Sequence, residues 1–541
     1  MEVADDGASL LDVLRRQLGL RSPKDGCSPQ GQCGCCTVWV DGAPRVACVT
    51  PARRVAGREI TTVEGLAPDV RDRWAGALVA TGGSQCGFCT PGIVMRLAAA
   101  VEAPEQGPVE PPSGLDDTVD RALLAHLCRC TGWQTVAEAA ALVAAGTAPD
   151  AAAAVAGRDL DAAARRAELE GGTPQAVGPE VATGRAPFAD DRSPDGALVA
   201  VPDGDGGYVV ADTLDAARAA AGKIQGRSTT VPPGHPVAVP DGSWALTLAT
   251  TWLEPAYLEP DASWCEPGGT PASPLGNGGA FGGKSSSPVA DDARRLADEH
   301  GRPVRVVWSR EDVVRLGPKR PPVAGALAAD GTGVLRVGVT GDGLDGTRWA
   351  GVVDAVTAVA PGLVLEQVPV AGPPVSLDLR GAVWAEAAVL AAALAAREAA
   401  GVPTGPVVGV PVTVAAPGGG RATARIAADG SVAIEVDAGE VLDAVVLRSY
   451  VIGAAHQALG WVRSEGIAVG PDGTVLDLTI RSFGILQARA VPRIDVVLAD
   501  GGGRPAVNGS DAVLAAVAAA SWLADGLPPA WPTDRASAGR R

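Results

Sequence analysis

The spacing of apolar positions changes several times along the chain, and each change predicts an element. Leu10, Leu11, Leu14 and Leu18 recur at helical spacing. Val38 and Val40 then alternate with polar neighbours and run into Asp41-Gly42, which predicts a strand entering a hairpin. Thr90 and Pro91 suit the N-cap and first position of a helix carrying Ile93, Val94 and Leu97. Thr135 with Glu138 predicts a capping box that opens a further helix through Ala145. Residues 146–180 are rich in Ala, Gly, Asp and Arg and poor in large apolar side chains, the composition of a partly helical linker. The longest apolar stretch, Ala512 to Ala524, is shorter than the ~18 residues that suggest a membrane span.

Length and charge narrow the class. The 541 residues correspond to three or four domains at roughly 150 residues each. An apolar fraction of 47% allows several sizeable cores. A formal charge of −17 argues against a nucleic-acid partner, because phosphate binding needs clustered cations. No charged start followed by an apolar run opens the sequence, so a signal peptide is not expected. The expectation is a soluble, cytoplasmic protein with no membrane partner.

The cysteines carry the chemistry. Nine of ten lie before residue 131: Cys27, Cys33, Cys35, Cys36, Cys48, Cys86, Cys89, Cys128 and Cys130. The spacing Cys27-x5-Cys33-x2-Cys36-x11-Cys48 is close to the plant-type ferredoxin arrangement. Gly31 and Gly34 let the chain wrap around a cluster whose sulfides need backbone N–H donors. Helix, cysteine loop and hairpin in that order fit a ferredoxin-type α+β domain. Cys35 reads as a non-ligand between two ligands. The second group is QCGFCTPG at 85–92 with CRCTGW at 128–133. Two short pairs joined by a long helical connection suggest a helical bundle with a cluster at one end. A zinc site uses the same four thiols equally well. With four His in the chain, His-rich zinc sites and a Rieske centre are excluded.

These motifs, with LLDVLRRQLGL before them and TTVEGLA at 61–67 between them, resemble the iron–sulfur part of the xanthine dehydrogenase/aldehyde oxidase family of molybdenum hydroxylases. The resemblance implies two [2Fe–2S] clusters, one on Cys27, Cys33, Cys36 and Cys48 in a β-grasp domain, the other on Cys86, Cys89, Cys128 and Cys130 in a four-helix domain. The family usually has four residues between its first two ligands; here there are five, Ser28 to Gln32.

The second half follows the same family's molybdenum subunit in order, through TGRAPFADD, VVADTLDAARAAA, AYLEPDA, GNGGAFGGK, GRPVRVVWSRED and GAAHQALG. The resemblance implies a shortened α+β domain for a molybdenum–pterin cofactor, with Gly278, Gly279, Ala280, Phe281, Gly282 and Gly283 lining its site and Gln85 contacting the pterin. RGAVWAE at 380–386 resembles the family's Arg-Gly active-site turn only weakly, and a surface helix start is expected for Arg380. Where the family places a catalytic Glu, this chain reads Gly509-Ser510-Asp511. Ser510 cannot serve as a carboxylate base, which leaves Asp511, one methylene shorter and displaced by one position, as the candidate. Its alternative role is a helix N-cap.

The resulting expectation is an α+β multidomain chain. Residues 1–68 form a ferredoxin-like domain, 69–147 a helical cluster domain, 148–180 an Ala-rich linker and 181–541 a shortened molybdopterin-binding domain. As an enzyme it would hydroxylate an N-heterocycle or aldehyde and pass electrons through its clusters to FAD on a separate subunit of a hetero-oligomer. The alternative is an iron–sulfur electron-transfer subunit whose molybdenum half is a non-catalytic scaffold.

Overall fold

A computed structural model describes residues 7–101, 115–222, 226–341, 343 and 346–535. At its start a helical turn, Leu10–Asp12, continues as a π-helical turn, Val13–Gln17, and buries Leu10, Leu11 and Leu14. Gly19, at φ 67°, ends the helical run, so Leu18 leaves the apolar face and stands 44% exposed. Strand Thr37–Val40 sits between Ala43–Val46 and Ile60–Thr61 in a three-stranded antiparallel sheet. Asp41 and Gly42 connect the first pair with positive φ at both positions, the backbone that a two-residue hairpin turn demands.

Four helices follow: Pro68–Thr81, Thr90–Val101, Leu115–Leu123 and Gln134–Ala144. The capping box expected at Thr135 is not formed. That residue lies inside the helix and its hydroxyl donates to the Thr131 carbonyl, while Glu138 pairs with Arg448 at 2.6 Å. The Ala-rich stretch after the bundle is packed rather than loose. Asp159 caps helix Leu160–Gly171, whose Arg166 and Glu170 are fully buried and paired at 2.9 Å.

The larger half holds three four-stranded sheets, ordered Tyr208–Ala211, Leu198–Pro202, Val304–Val307, Ala262–Cys265; Leu363–Pro369, Gly333–Val339, Val323–Leu327, Leu246–Ala249; and Val412–Ala415, Arg421–Ile426, Val432–Asp437, Ile494–Leu498. Helix Ala444–Arg463 is buried almost throughout and crosses the helical cluster domain at Gly453. A Cβ there would lie 1.9 Å from the Cys130 carbonyl oxygen, so only glycine allows the approach. No helix among the described residues is long and apolar enough to cross a membrane.

One hydrophobic core runs without a break from Leu10 through all nine N-terminal cysteines to Val304, Val313 and Phe483. The N-terminal module and the larger half therefore share an interior. Buried ion pairs tie them further: Arg129 meets Glu465 through two bonds of 2.6 and 2.7 Å, and Arg15 pairs with Asp190 and Asp191 at 2.8 and 2.7 Å. Glu465→Gln would leave the Arg129 cation buried and unpaired, a change that costs about 3–5 kcal/mol. Calorimetry should show a lowered melting temperature for that variant.

Candidate functional site

The loop from Gly26 to Cys36 gathers its thiols because its backbone turns back on itself at Ser28, Gly31 and Gly34, all at positive φ. Gly34 is indispensable, since a Cβ there would fall 2.4 Å from the His126 ring. Cys27, Cys33, Cys36 and Cys48 are each at most 4% exposed. The Gln30 and Gln32 amides donate to Cys27 Sγ at 3.3 and 3.4 Å, and the Cys48 amide donates to Cys36 Sγ at 3.4 Å. Cys35 is also buried, with its thiol on the Cys33 carbonyl at 3.9 Å.

In the second group, Cys130 Sγ approaches Cys86 Sγ at 3.8 Å and Cys128 Sγ lies 2.9 Å from Thr131 Oγ1. Cys89 immediately precedes helix Thr90–Val101. The Leu127 amide donates to the Cys33 carbonyl at 3.0 Å, so one backbone hydrogen bond joins the two groups.

Charge is unevenly shared in each row. Hydrogen bonds from Cys33 and then Cys48 hold the Cys27 thiol well below the ordinary thiol range. Donating to it pushes Cys33 up, and Cys48 is pushed up in the same way. Cys128 is held down by Cys130 and Cys89, which rise in turn. In each group one thiol is held down while the thiols bonded to it are pushed up. Iron supplies the positive charge that would let all four ionise, and the amides aimed at sulfur suit an iron–sulfur unit. No three His, Cys, Asp or Glu side chains among the described residues are arranged as a site for a single ion. Within each group the thiols hydrogen-bond to one another, Cys27 with Cys33 and Cys48, and Cys128 with Cys130 and Cys89.

The glycine loop at 276–284 abuts the second row. Asn277, at φ 54°, donates to the Cys86 carbonyl at 3.1 Å and accepts from the Ala176 amide at 3.0 Å. Sequence reading did not single it out. Gln85 donates to the Cys130 carbonyl at 2.9 Å and to Ser449 Oγ at 2.8 Å, while its Oε1 is buried without a partner. Phe281, Gly282 and Gly283 line a small cleft of about 40 Å³ that Arg129, Arg320, Arg380 and Gln457 also wall. Gly278, Gly279 and Ala280 do not line it. A Cβ on Gly278 would meet Glu259 Oε2 at 1.9 Å, one on Gly279 would meet Lys284 Cβ at 2.5 Å, and the Ala280 carbonyl accepts from Tyr450 at 2.6 Å. Three guanidiniums make this cleft a setting for an anionic group, but Gln85 does not line it and the room in it is far short of a whole pterin.

Arg380 is no surface residue. It is 7% exposed, its amide donates to the Gly282 carbonyl at 3.1 Å, and its Nε lies 3.1 Å from Asp511 Oδ1. Asp511 is not the N-cap of helix Ser510–Ala524 either. The cap position is Gly509, and Asn508 Oδ1 takes the Asp511 amide at 2.9 Å. Burial pushes the Asp511 carboxyl up, with Arg380 opposing. The carboxylate at the helix start is Glu170, which accepts from the Gly509 and Ser510 amides at 3.1 and 2.8 Å. No sequence signal pointed to it, because the Ala-rich composition around it reads as linker.

Comparison with known proteins bears on both halves. The family described as [2Fe-2S] binding domain matches residues 62–141. The xanthine dehydrogenase iron–sulfur-binding subunit of Escherichia coli O157:H7 is 40% identical over 131 residues, 24% of this chain and 78% of that protein. The nicotinate dehydrogenase small FeS subunit of Eubacterium barkeri is 36% identical over 132 residues, 24% of this chain and 79% of that subunit. The aldehyde oxidoreductase of Megalodesulfovibrio gigas is 42% identical over 137 residues, 25% of this chain but 14% of that protein. In structure, the aldehyde oxidoreductase from Desulfovibrio gigas superposes with a TM-score of 0.67 at 16% identity, covering 99% of this chain and 98% of that one. That likeness shows the fold. With the sequence matches over the cysteine motifs, it makes this chain a member of the xanthine dehydrogenase/aldehyde oxidoreductase family of oxidoreductases.

Proposed function

We propose that this chain is the iron–sulfur and molybdopterin component of a hydroxylase-type oxidoreductase. Two [2Fe–2S] clusters, on Cys27, Cys33, Cys36 and Cys48 and on Cys86, Cys89, Cys128 and Cys130, would carry electrons to a flavin on a partner subunit of a hetero-oligomer. The observation that carries the reading is the pair of buried thiol rows joined by the Leu127–Cys33 hydrogen bond of 3.0 Å. The second row adjoins the glycine loop through Asn277, which supports a path from the cleft to the second row to the first.

Holding the molybdopterin cofactor against Phe281, Gly282, Gly283 and the three cleft arginines would require this cleft to widen. When bound, that group supplies two-electron oxidation at an electron-poor C–H bond, in an N-heterocycle or aldehyde. Each guanidinium is pre-set by a carboxylate behind it: Arg129 by Glu465, Arg320 by Glu386 at 2.7 and 2.8 Å, and Arg380 by Asp511. Such backing fixes the donors before any ligand arrives.

One observation favours the second reading, an electron-transfer subunit with a non-catalytic cleft. The two carboxylates at the start of helix Ser510–Ala524 are both engaged, Asp511 by Arg380 and Glu170 by Arg166 and two amides. Asp511→Asn tests the role of Asp511 within the first reading, while a purified protein that holds iron but no molybdenum would favour the second. If Asp511 acts as general base, turnover falls by about 10²–10⁴ at unchanged iron and molybdenum content. Wild-type turnover in that variant would remove Asp511 from the mechanism.

Metal analysis tests the core of the proposal. Purified protein should contain four irons per chain and show two distinct reduced [2Fe–2S] signals by electron paramagnetic resonance. Zinc in place of iron, or a single cluster, would contradict it. Cys35→Ser should retain all four irons and both signals, because Cys33 and Cys36 already complete the ligand spacing.

A further inference from the structure

Arg310 is the first residue of helix Arg310–Leu316, whose start is fixed by a capping box between Ser309 and Asp312. Its side chain is fully buried. Nε and Nη2 donate to the Gly26 carbonyl at 3.1 and 2.7 Å, Nη2 also donates to the Leu258 carbonyl at 2.9 Å, and Nη1 is buried without a partner. Gly26 precedes Cys27 and packs directly on sulfur, since a Cβ there would lie 3.1 Å from both Cys33 Sγ and Cys35 Sγ. The guanidinium thus stands immediately behind the first thiol row.

Arg310 forms no ion pair with a described carboxylate. Neighbouring acids have other partners: Glu254 pairs with Lys319 at 2.9 Å, Asp261 accepts from the Tyr257 hydroxyl at 2.6 Å and lies 4.0 Å from Lys284, and Glu311 accepts from Gln30 at 3.0 Å. Glu259 lies 3.6 Å from Lys284, and burial pushes its carboxyl up to about 8, with Lys284 opposing. A fully buried, unpaired guanidinium is costly unless an anion lies close by. The adjoining thiol row is where that anion belongs.

We propose that Arg310 is the fixed counter-charge of the first cluster and raises its reduction potential. The inference rests on the reading of Cys27, Cys33, Cys36 and Cys48 as ligands. Two ferric irons, two sulfides and four thiolates sum to a charge of minus two, and uptake of one electron makes it minus three. A nearby buried cation stabilises the second state more than the first, and salt screens it little. Arg481 reaches the same loop, donating to the Gln32 carbonyl at 3.1 Å, but it is exposed and its charge is screened.

The test is a potentiometric titration of the full chain with dithionite, followed by electron paramagnetic resonance. The first cluster's signal is identified by its loss in Cys48→Ser. In Arg310→Gln, the oxidised-to-reduced ratio of that cluster at fixed potential should rise about tenfold, equal to ~59 mV for one electron. Arg310→Lys should restore most of the difference, Arg481→Gln should move it less, and the second cluster should move less than the first. An unchanged first-cluster potential in Arg310→Gln with four irons bound overturns the inference. Should that variant not assemble, the wild type titrated at low and high salt decides: a potential insensitive to salt supports a buried counter-charge, and one that tracks salt overturns it. Absence of the first cluster from the wild type would instead refute the functional reading on which the inference stands.

Discussion

Burying eight cysteine sulfurs side by side in one core constrains almost everything around them. Sulfur that is to carry negative charge away from water needs N–H donors, cations or metal at close range. The backbone must therefore come near, and only residues without a Cβ permit it. A Cβ on Gly92 would lie 2.2 Å from the Gly34 carbonyl, and one on Gly132 would lie 2.8 Å from the Ile452 carbonyl. Together with Gly34 and Gly453, these glycines set the spacing between the two thiol rows and between the second row and the larger half.

The same constraint explains why the two halves are not separable bodies. The first loop is held from outside by Arg218 on Ser28, by Glu311 and the Leu478 carbonyl on Gln30, and by Arg310 on Gly26. Ser28 lies in the five-residue segment between Cys27 and Cys33, and it is buried against the larger half. A loop one residue longer than is usual in the family thus becomes a point of attachment. The second row is bound in the same fashion by Arg129 to Glu465 and by Asn277 to Cys86. Long-range polar ties of this kind, rather than a flexible linker, position the cleft relative to the thiols.

The walls of the cleft are held by groups far apart in the chain. Phe281 and Gly282 stay in place because Arg380 packs on Gly282 and is pinned by Asp511 and the Glu170 carbonyl. Glu170 in turn is fixed by Arg166, whose other donors reach the Val441 and Val507 carbonyls. A helix from the Ala-rich stretch thereby becomes part of the wall behind the cleft.

Cysteine spacing, the Asp41-Gly42 turn and the helical periods were legible in the sequence because each depends on residues close in the chain. Local geometry limits which thiols can share a cluster, and a two-residue hairpin admits few residue types. The resemblance of GGAFGGK and the blocks around it extended that reading to the order of the second half. What only the tertiary structure decided is which distant groups meet the local motifs. Arg310 acquires its place from the Gly26 carbonyl, 284 positions away in sequence, and Arg380 becomes buried only because Gly282 and Asp511 close over it. Glu170 lies 340 positions from the Ser510 amide it accepts. Composition and period describe a segment's own preferences, whereas burial of a charge depends on what the rest of the chain places against it.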